Sequence, residues 1–412
     1  MDKRIYLCLA HMSGEEQRFI KEAFDTNWVV PLGPNVNGFE ADLEAYLGQK
    51  RSVVALASGT AALHLALLAC GVGAGDEVLC QSFTFCASAN PITYLGATPV
   101  FIDSESDSWN ICPELLEQAI IERISLGKRP KAIVVVYLYG MPARIDEIMA
   151  IGQKYDIPII EDAAEALGSR YNGRMCGTFA KYGVLSFNGN KMITTSGGGA
   201  LICPDQQSKE QIMFYATQAR EAYPYYQHEQ IGYNYRMSNI CAGIGRGQML
   251  VANDHVEHHK RLCALYDKLL AEVEGITLHK NPTPHHDSNY WLCTILLDRS
   301  LHIKGEDNAY DSHVEGVIGG AGGVVHKSES LHTECEPNNN VEALRKALDH
   351  AGIEARPLWK PMHLQPVFRN APAYCNGTSE ELFRCGLCLP SGPCVTEEDV
   401  HYIVEQIVAN IV

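Results

Sequence analysis

What the chain lacks removes whole classes of function before any motif is read. No run of Lys or Arg stands out along its 412 residues, and 33 basic against 49 acidic side chains leave a formal net charge of −16. A field of that sign repels polyanions, so nucleic acid and anionic membrane surfaces are not expected as partners. No apolar run reaches the roughly 18 residues needed to span a bilayer. No signal peptide opens the chain at Met1-Asp2-Lys3-Arg4, so a cytoplasmic location is expected. The 15 cysteines have no metal-ligand rhythm. They fall in apolar segments such as Leu67-Leu68-Ala69-Cys70 and Trp291-Leu292-Cys293, as buried thiols in a reducing compartment do. Cys385 and Cys388 have redox spacing, but the pair runs straight into Leu389-Pro390 and reads as a strand end. No nearby acid completes a metal site of obvious geometry with His255, His258 and His259. They read as the solvated face of a long polar helix, Asn253 to Val273, and no metal is expected.

What is present is an ordinary globular composition, 46% hydrophobic and 20% charged, in a chain longer than one compact core usually holds. Two domains are expected: residues 1–252, then a smaller α/β domain at 253–412 with a polar, glycine-rich insertion at about 302–340. That insertion contains Gly319-Gly320-Ala321-Gly322-Gly323 and reads as a surface loop or a lid. Strand-like runs at 51–57, 77–81, 98–103, 132–137 and 157–161 alternate with helix-like runs at 61–68, 86–95, 113–125 and 146–154. Such alternation predicts a mostly parallel sheet wrapped by helices, whose ligands collect at the carboxyl ends of the strands.

Four features of that sheet carry chemistry. Ser58-Gly59-Thr60-Ala61 joins a strand to a helix, which makes it an anion site or simply a capped turn. Asp162 follows Pro158-Ile159-Ile160-Glu161 and has small residues beside it, as a ligand carboxylate or a helix cap. Ser186 ends another strand. Lys191 follows it in Ser-Phe-Asn-Gly-Asn-Lys, ahead of Ser196-Gly197-Gly198-Gly199, where glycine lets a flat ligand approach the backbone. Lys191 alone could be one more surface lysine. Together the four match pyridoxal phosphate, whose phosphate needs hydroxyl and N–H donors, whose ring nitrogen needs a carboxylate and whose aldehyde needs an amine.

These motifs resemble the DegT/DnrJ/EryC1/StrS family of sugar aminotransferases, pyridoxal phosphate enzymes of fold type I. The resemblance runs from about Tyr6 to the C-terminus. It is carried further by Ser82-Phe83-Thr84-Phe85, Glu161 to Gly168, Asn234-Tyr235-Arg236-Met237 and Leu389-Pro390-Ser391-Gly392. It implies an α/β fold with a mostly parallel central sheet and a smaller C-terminal α/β domain. It further implies that Lys191 binds the cofactor covalently and then moves the proton, and that Asp162 pairs with the ring nitrogen. Phe85 would lie on one face of the ring. Ser58, Gly59, Thr60, Ala61 and Ser186 would surround the phosphate, with Asn234 donated by the partner of a homodimer. Glu165 stands near the ring where many members carry Gln or His. Lys191 argues against the dehydratase branch, which has histidine at that position.

The wording of Asn27 to Pro34 and of Arg356 to His363 is similar to the subgroup that aminates C4 of UDP-linked 4-keto-6-deoxy-hexosamines. It implies L-glutamate as amino donor, with Asn27, Trp28, Arg356, Lys360 and His363 as nucleotide and diphosphate contacts. A diphosphate bound by a chain of this net charge needs local cations in any case. A 3-keto sugar, a TDP or GDP carrier, and a cofactor-binding regulator without turnover are the alternatives.

Overall fold

The computed structural model describes residues 4–48, 50–311 and 335–412. The glycine-rich run at 319–323 lies outside them. The eight-stranded central sheet has the order Ser52–Leu56, Gly199–Cys203, Tyr182–Ser186, Ile159–Asp162, Ala132–Val136, Glu77–Gln81, Thr98–Ile102, Ala373–Tyr374. Gly199–Cys203 runs antiparallel to both its neighbours, and every other pairing is parallel. The strands are apolar on both faces, as buried parallel strands must be. Side chains alternate across the sheet, so Val53, Ala55, Ile133 and Val135 join one core cluster while Val54, Leu56, Ala132 and Val134 join the other. Register aligns Val136 with Asp162 and Asp162 with Val184, which puts these strand ends at one edge.

Pro34 opens the helix Pro34–Leu47. Gly33, at φ 134°, turns the chain into it, and proline suits the first helical position because its missing N–H would have no partner there. The helix buries Val36, Phe39, Leu43 and Leu47.

The C-terminal half builds a four-stranded antiparallel sheet in the order Ile276–Leu278, Cys293–Leu297, Gly386–Leu389, Arg356–Pro357. Helices Asn339–His350 and Glu397–Ala409 pack on it around a separate apolar core. Within the stretch read as an insertion, Glu306–Asn308 forms a turn of 3-10 helix and Asn338 precedes the helix Asn339–His350. The long helix Ala252–Leu270 connects the two cores: Ala252 and Val256 lie in the first, Leu262, Cys263, Tyr266 and Leu270 in the second. Among the described residues no helix is long and apolar enough to cross a membrane.

That connecting helix corrects the solvated-face reading of its histidines. His255 and His259 are 5% and 0% exposed. Their Nδ1–H groups donate to the carbonyls of Met192 at 3.0 Å and Tyr290 at 3.1 Å. Backbone carbonyls from distant segments cover a face that looks polar in sequence. Burial holds the His259 imidazole down at about pH 3, against the pull of its Tyr290 bond. It therefore stays neutral when folded, whereas the unfolded chain takes up the proton near pH 6.5. Stability rises with pH wherever the unfolded state binds more protons, so this contribution is complete above pH 6.5 and is lost between there and pH 3. The melting temperature should fall as pH drops from 7 to 5, this group costing about 1.4 kcal/mol of stability per pH unit below pH 6.5, and should fall less steeply in His259→Asn. A melt insensitive to pH over that range would refute it.

Candidate active site

The site begins where the first strand stops. Ser58 is extended, at φ −165°, and its Oγ accepts the Ala61 N–H at 3.0 Å, capping the helix Gly59–Ala69. The capping reading of this turn holds at the hydroxyl, and the first-turn N–H groups lie beyond the reach of intrahelical carbonyls. Ser58, Gly59 and Thr60 line a cavity of about 1900 Å³, whereas Ala61 is buried behind them. A Cβ on Gly59 would stand 3.1 Å from Ser186 Cβ, and one on Gly199 would stand 2.3 Å from Gly59 N. Glycine at both positions is what allows the Ser186 hydroxyl to lie against the turn.

Lys191 reaches the same cavity from a loop pinned at its base. Phe187 N donates to Gly198 O at 2.9 Å and Thr195 N to Phe187 O at 3.0 Å. Bonds on either side of the lysine hold it in place, from Trp291 Nε1 to Asn190 O at 2.6 Å and from His255 to Met192 O. The Lys191 Nζ stands 4.0 Å from the Trp291 ring centroid and donates to Glu165 Oε1 at 3.1 Å.

Two buried carboxylates flank this amine with different partners. Asp162 Oδ2 accepts the Ser88 hydroxyl at 2.7 Å and Oδ1 accepts the Ala164 N–H at 3.2 Å. Ser88 is itself bonded to Thr84 Oγ1 at 2.7 Å. Glu165 Oε2 accepts the Tyr139 N–H at 2.8 Å. Burial pushes both carboxyls above their ordinary range, and the hydrogen bonds and the Lys191 charge pull back only in part.

The other candidates divide. Phe85 stands at the rim, 52% exposed, with its ring 5.3 Å from that of Trp359. Arg356 and Lys360 line the cavity. Arg356 pairs with Glu354 at 2.7 Å, and Lys360 Nζ donates to Cys335 O at 3.0 Å. Asn27, Trp28, Asn234 and His363 lie outside that lining. Asn27 and Trp28 are exposed, as is Asn234, which bridges to Thr217, and a His363 ring nitrogen bonds Ser82 Oγ at 2.6 Å. Arg4, Tyr6, Cys8, Trp291, Arg345 and Cys388 also line the cavity and were not read from sequence. Nor was Ser88, which meets Asp162 across 74 positions of chain.

A ligand with a phosphate, a basic ring nitrogen and an aldehyde finds a helix N-terminus, a carboxylate and an amine here, each turned into one cavity. The donor set fits pyridoxal phosphate, and with the single reversed strand of its sheet the protein falls among the pyridoxal phosphate enzymes of fold type I. The chain belongs to the DegT/DnrJ/EryC1/StrS aminotransferase family, whose profile matches residues 10–311 and 321–408. It is 44% identical to EpsN of Bacillus subtilis (strain 168), over 98% of this chain and 95% of that protein. It is 32% identical to the GDP-perosamine synthase of Escherichia coli O157:H7, over 96% of this chain and 95% of that one. A DegT DnrJ EryC1 StrS aminotransferase from Brucella abortus superposes with a TM-score of 0.81 at 28% identity, covering 96% of this chain and 95% of its own. The protein is a pyridoxal phosphate-dependent sugar aminotransferase, and the regulator without turnover is set aside.

Proposed function

We propose that the enzyme moves the amino group of L-glutamate to the C4 keto carbon of a UDP-linked keto-deoxy sugar, for surface glycan or glycoprotein synthesis in the cytoplasm. The observation that carries this reading is the placement of Lys191, Asp162 and the Gly59–Thr60 turn in one cavity. Its lining also includes Arg345, Lys346, Arg356 and Lys360 from the C-terminal half, with Arg4 from the N-terminal segment. In a chain of net −16 these are the cations a diphosphate requires, although Glu342, Asp349 and Glu354 share the wall. Residues 1–252 then form the cofactor domain and 253–412 the domain that walls the substrate.

Asn27, Trp28 and Asn234 fit the proposal as groups given to the neighbouring cavity of a homodimer. Val29, Leu32, Tyr225, Tyr226 and Ile231 are exposed on the same segments, a concentration of apolar surface that supports such an interface. His363 would act at second hand, through Ser82.

A GDP carrier is the second reading, favoured by the identity to a GDP-perosamine synthase. A product assay with L-glutamate against UDP-, TDP- and GDP-linked 3-keto and 4-keto sugars decides between them. The expected result is 2-oxoglutarate and a 4-amino sugar, formed fastest from the UDP-linked 4-keto substrate. Faster turnover of a GDP-linked sugar would establish the second reading, and turnover of none would end both.

A further inference from the structure

A buried hydroxyl relay reaches Asp162 from a turn that follows a strand two places away in the sheet. Ser88 closes the 3-10 turn Cys86–Ser88, its N–H bonded to Phe85 O at 3.0 Å. The turn follows the strand Glu77–Gln81, and Ala132–Val136 lies between that strand and the one ending at Asp162. Ser88 Oγ nevertheless meets both Asp162 Oδ2 and Thr84 Oγ1 at 2.7 Å, and Thr84 and Ser88 are 0% and 2% exposed. An ionised carboxylate only accepts, and a serine hydroxyl has one hydrogen to give. Ser88 therefore donates to Asp162, which leaves Thr84 to donate to Ser88. Both oxygens of the acid are then held by neutral donors of the chain, Oδ2 by the relay and Oδ1 by the Ala164 N–H at 3.2 Å. Burial pushes this carboxyl up, and among the groups that pull it back the Ser88 bond comes first, ahead of the Ala164 bond and the Lys191 charge.

We propose that Ser88 is a positioning residue: acting through Asp162, with Thr84 behind it, it keeps the shared proton on the ring nitrogen of bound pyridoxal phosphate rather than on the carboxyl. This rests on the reading of Asp162 as the partner of that nitrogen. Between a carboxylate and a pyridine nitrogen a proton can lie on either atom, which gives a charged pair or a neutral one. A hydrogen bond to an ionised acceptor is about twice as strong as one to a neutral acceptor, so the relay favours the charged pair. A ring nitrogen without its proton draws electrons from the reacting carbon less well. Loss of the relay therefore slows proton removal and leaves the grip on the amino donor as it was.

The test locates the proton itself. Pyridoxal phosphate isotopically labelled at the ring nitrogen is loaded into the protein, and solid-state nitrogen NMR separates the protonated ring from the bare one. Wild type should give the protonated signal. Ser88→Ala keeps the turn and removes the donor, so its signal should move toward the bare-ring position. Its glutamate half-reaction should slow about tenfold, the low end for one hydrogen bond to a charged group, at an unchanged half-saturating glutamate concentration. Ser88→Thr retains the hydroxyl and should match wild type in both measurements. Thr84→Val, close in shape, removes only the upstream donor. It should move the signal the same way but less far, and it serves as the measurement if Ser88→Ala does not fold. A signal unmoved in Ser88→Ala, or in Thr84→Val where that stands in for it, would overturn the role of Ser88, as would a Ser88→Thr protein that behaves like Ser88→Ala. A bare ring nitrogen in wild type, or a signal indifferent to Asp162→Asn, would instead overturn the assignment of Asp162.

Discussion

Lys191→Ala should lose aminotransfer by about 10⁴-fold or more, the upper range for removing one positioned acid–base group, because in the proposed assignment the same amine also holds the cofactor. No lysine adduct should form after borohydride reduction, and any pyridoxal phosphate should leave on gel filtration. The fold should survive. The substitution strands Glu165, buried at 5% exposure, without its counter-charge. Burial already pushes that carboxyl upward, which favours its uncharged form and lowers the cost of losing the partner. The measurements are single-turnover conversion of L-glutamate, the adduct mass and a thermal melt. Conversion within tenfold of wild type would refute the assignment, and the melt separates a chemical loss from a structural one.

Asp162→Asn should cost about 10³-fold in the glutamate half-reaction, on the scale of removing one preorganised electrostatic partner from a water-excluded site. Pyridoxal phosphate bound here supplies an electron sink for the carbon that loses its proton. The chain's part is to keep the ring nitrogen charged, and Asp162 is the carboxylate whose position suits that task. The amide can still accept from Ser88 or Ala164, so shape is nearly kept while the charge disappears. A loss of less than tenfold, measured by the decay of cofactor absorbance after mixing with L-glutamate, would mean that another group supplies the charge.

The two substitutions remove residues that sequence could find, and the reason is local. Asp162 ends a short strand that opens on apolar Ile159 and Ile160, and the Ser58 turn joins an apolar strand to an apolar helix, so each is marked by its immediate neighbours. Lys191 lacked that support. Its segment has no periodic pattern, and its importance came from agreement with the other three positions. His255 and His259 show the limit from the other side. Their neighbours are polar, yet their ring nitrogens meet carbonyls 63 and 31 positions away, and a carbonyl leaves no trace in residue type. The substrate contacts divided for a related reason. Arg356 and Lys360 face the cavity while His363, three positions on, bonds Ser82 instead, because the chain turns into a 3-10 helix at Met362–Leu364.

From sequence alone came the alternation of strand and helix, the strand-end acid, the strand-to-helix turn at Ser58 and the family, all properties written in runs of neighbouring residues. Tertiary structure alone decided that Glu165 rather than Asp162 bonds the amine, that Ser88 orients the acid and that Trp291 and His255 hold the carbonyls flanking the lysine. Those contacts join segments 26 to 101 positions apart, where only tertiary packing brings donor to acceptor.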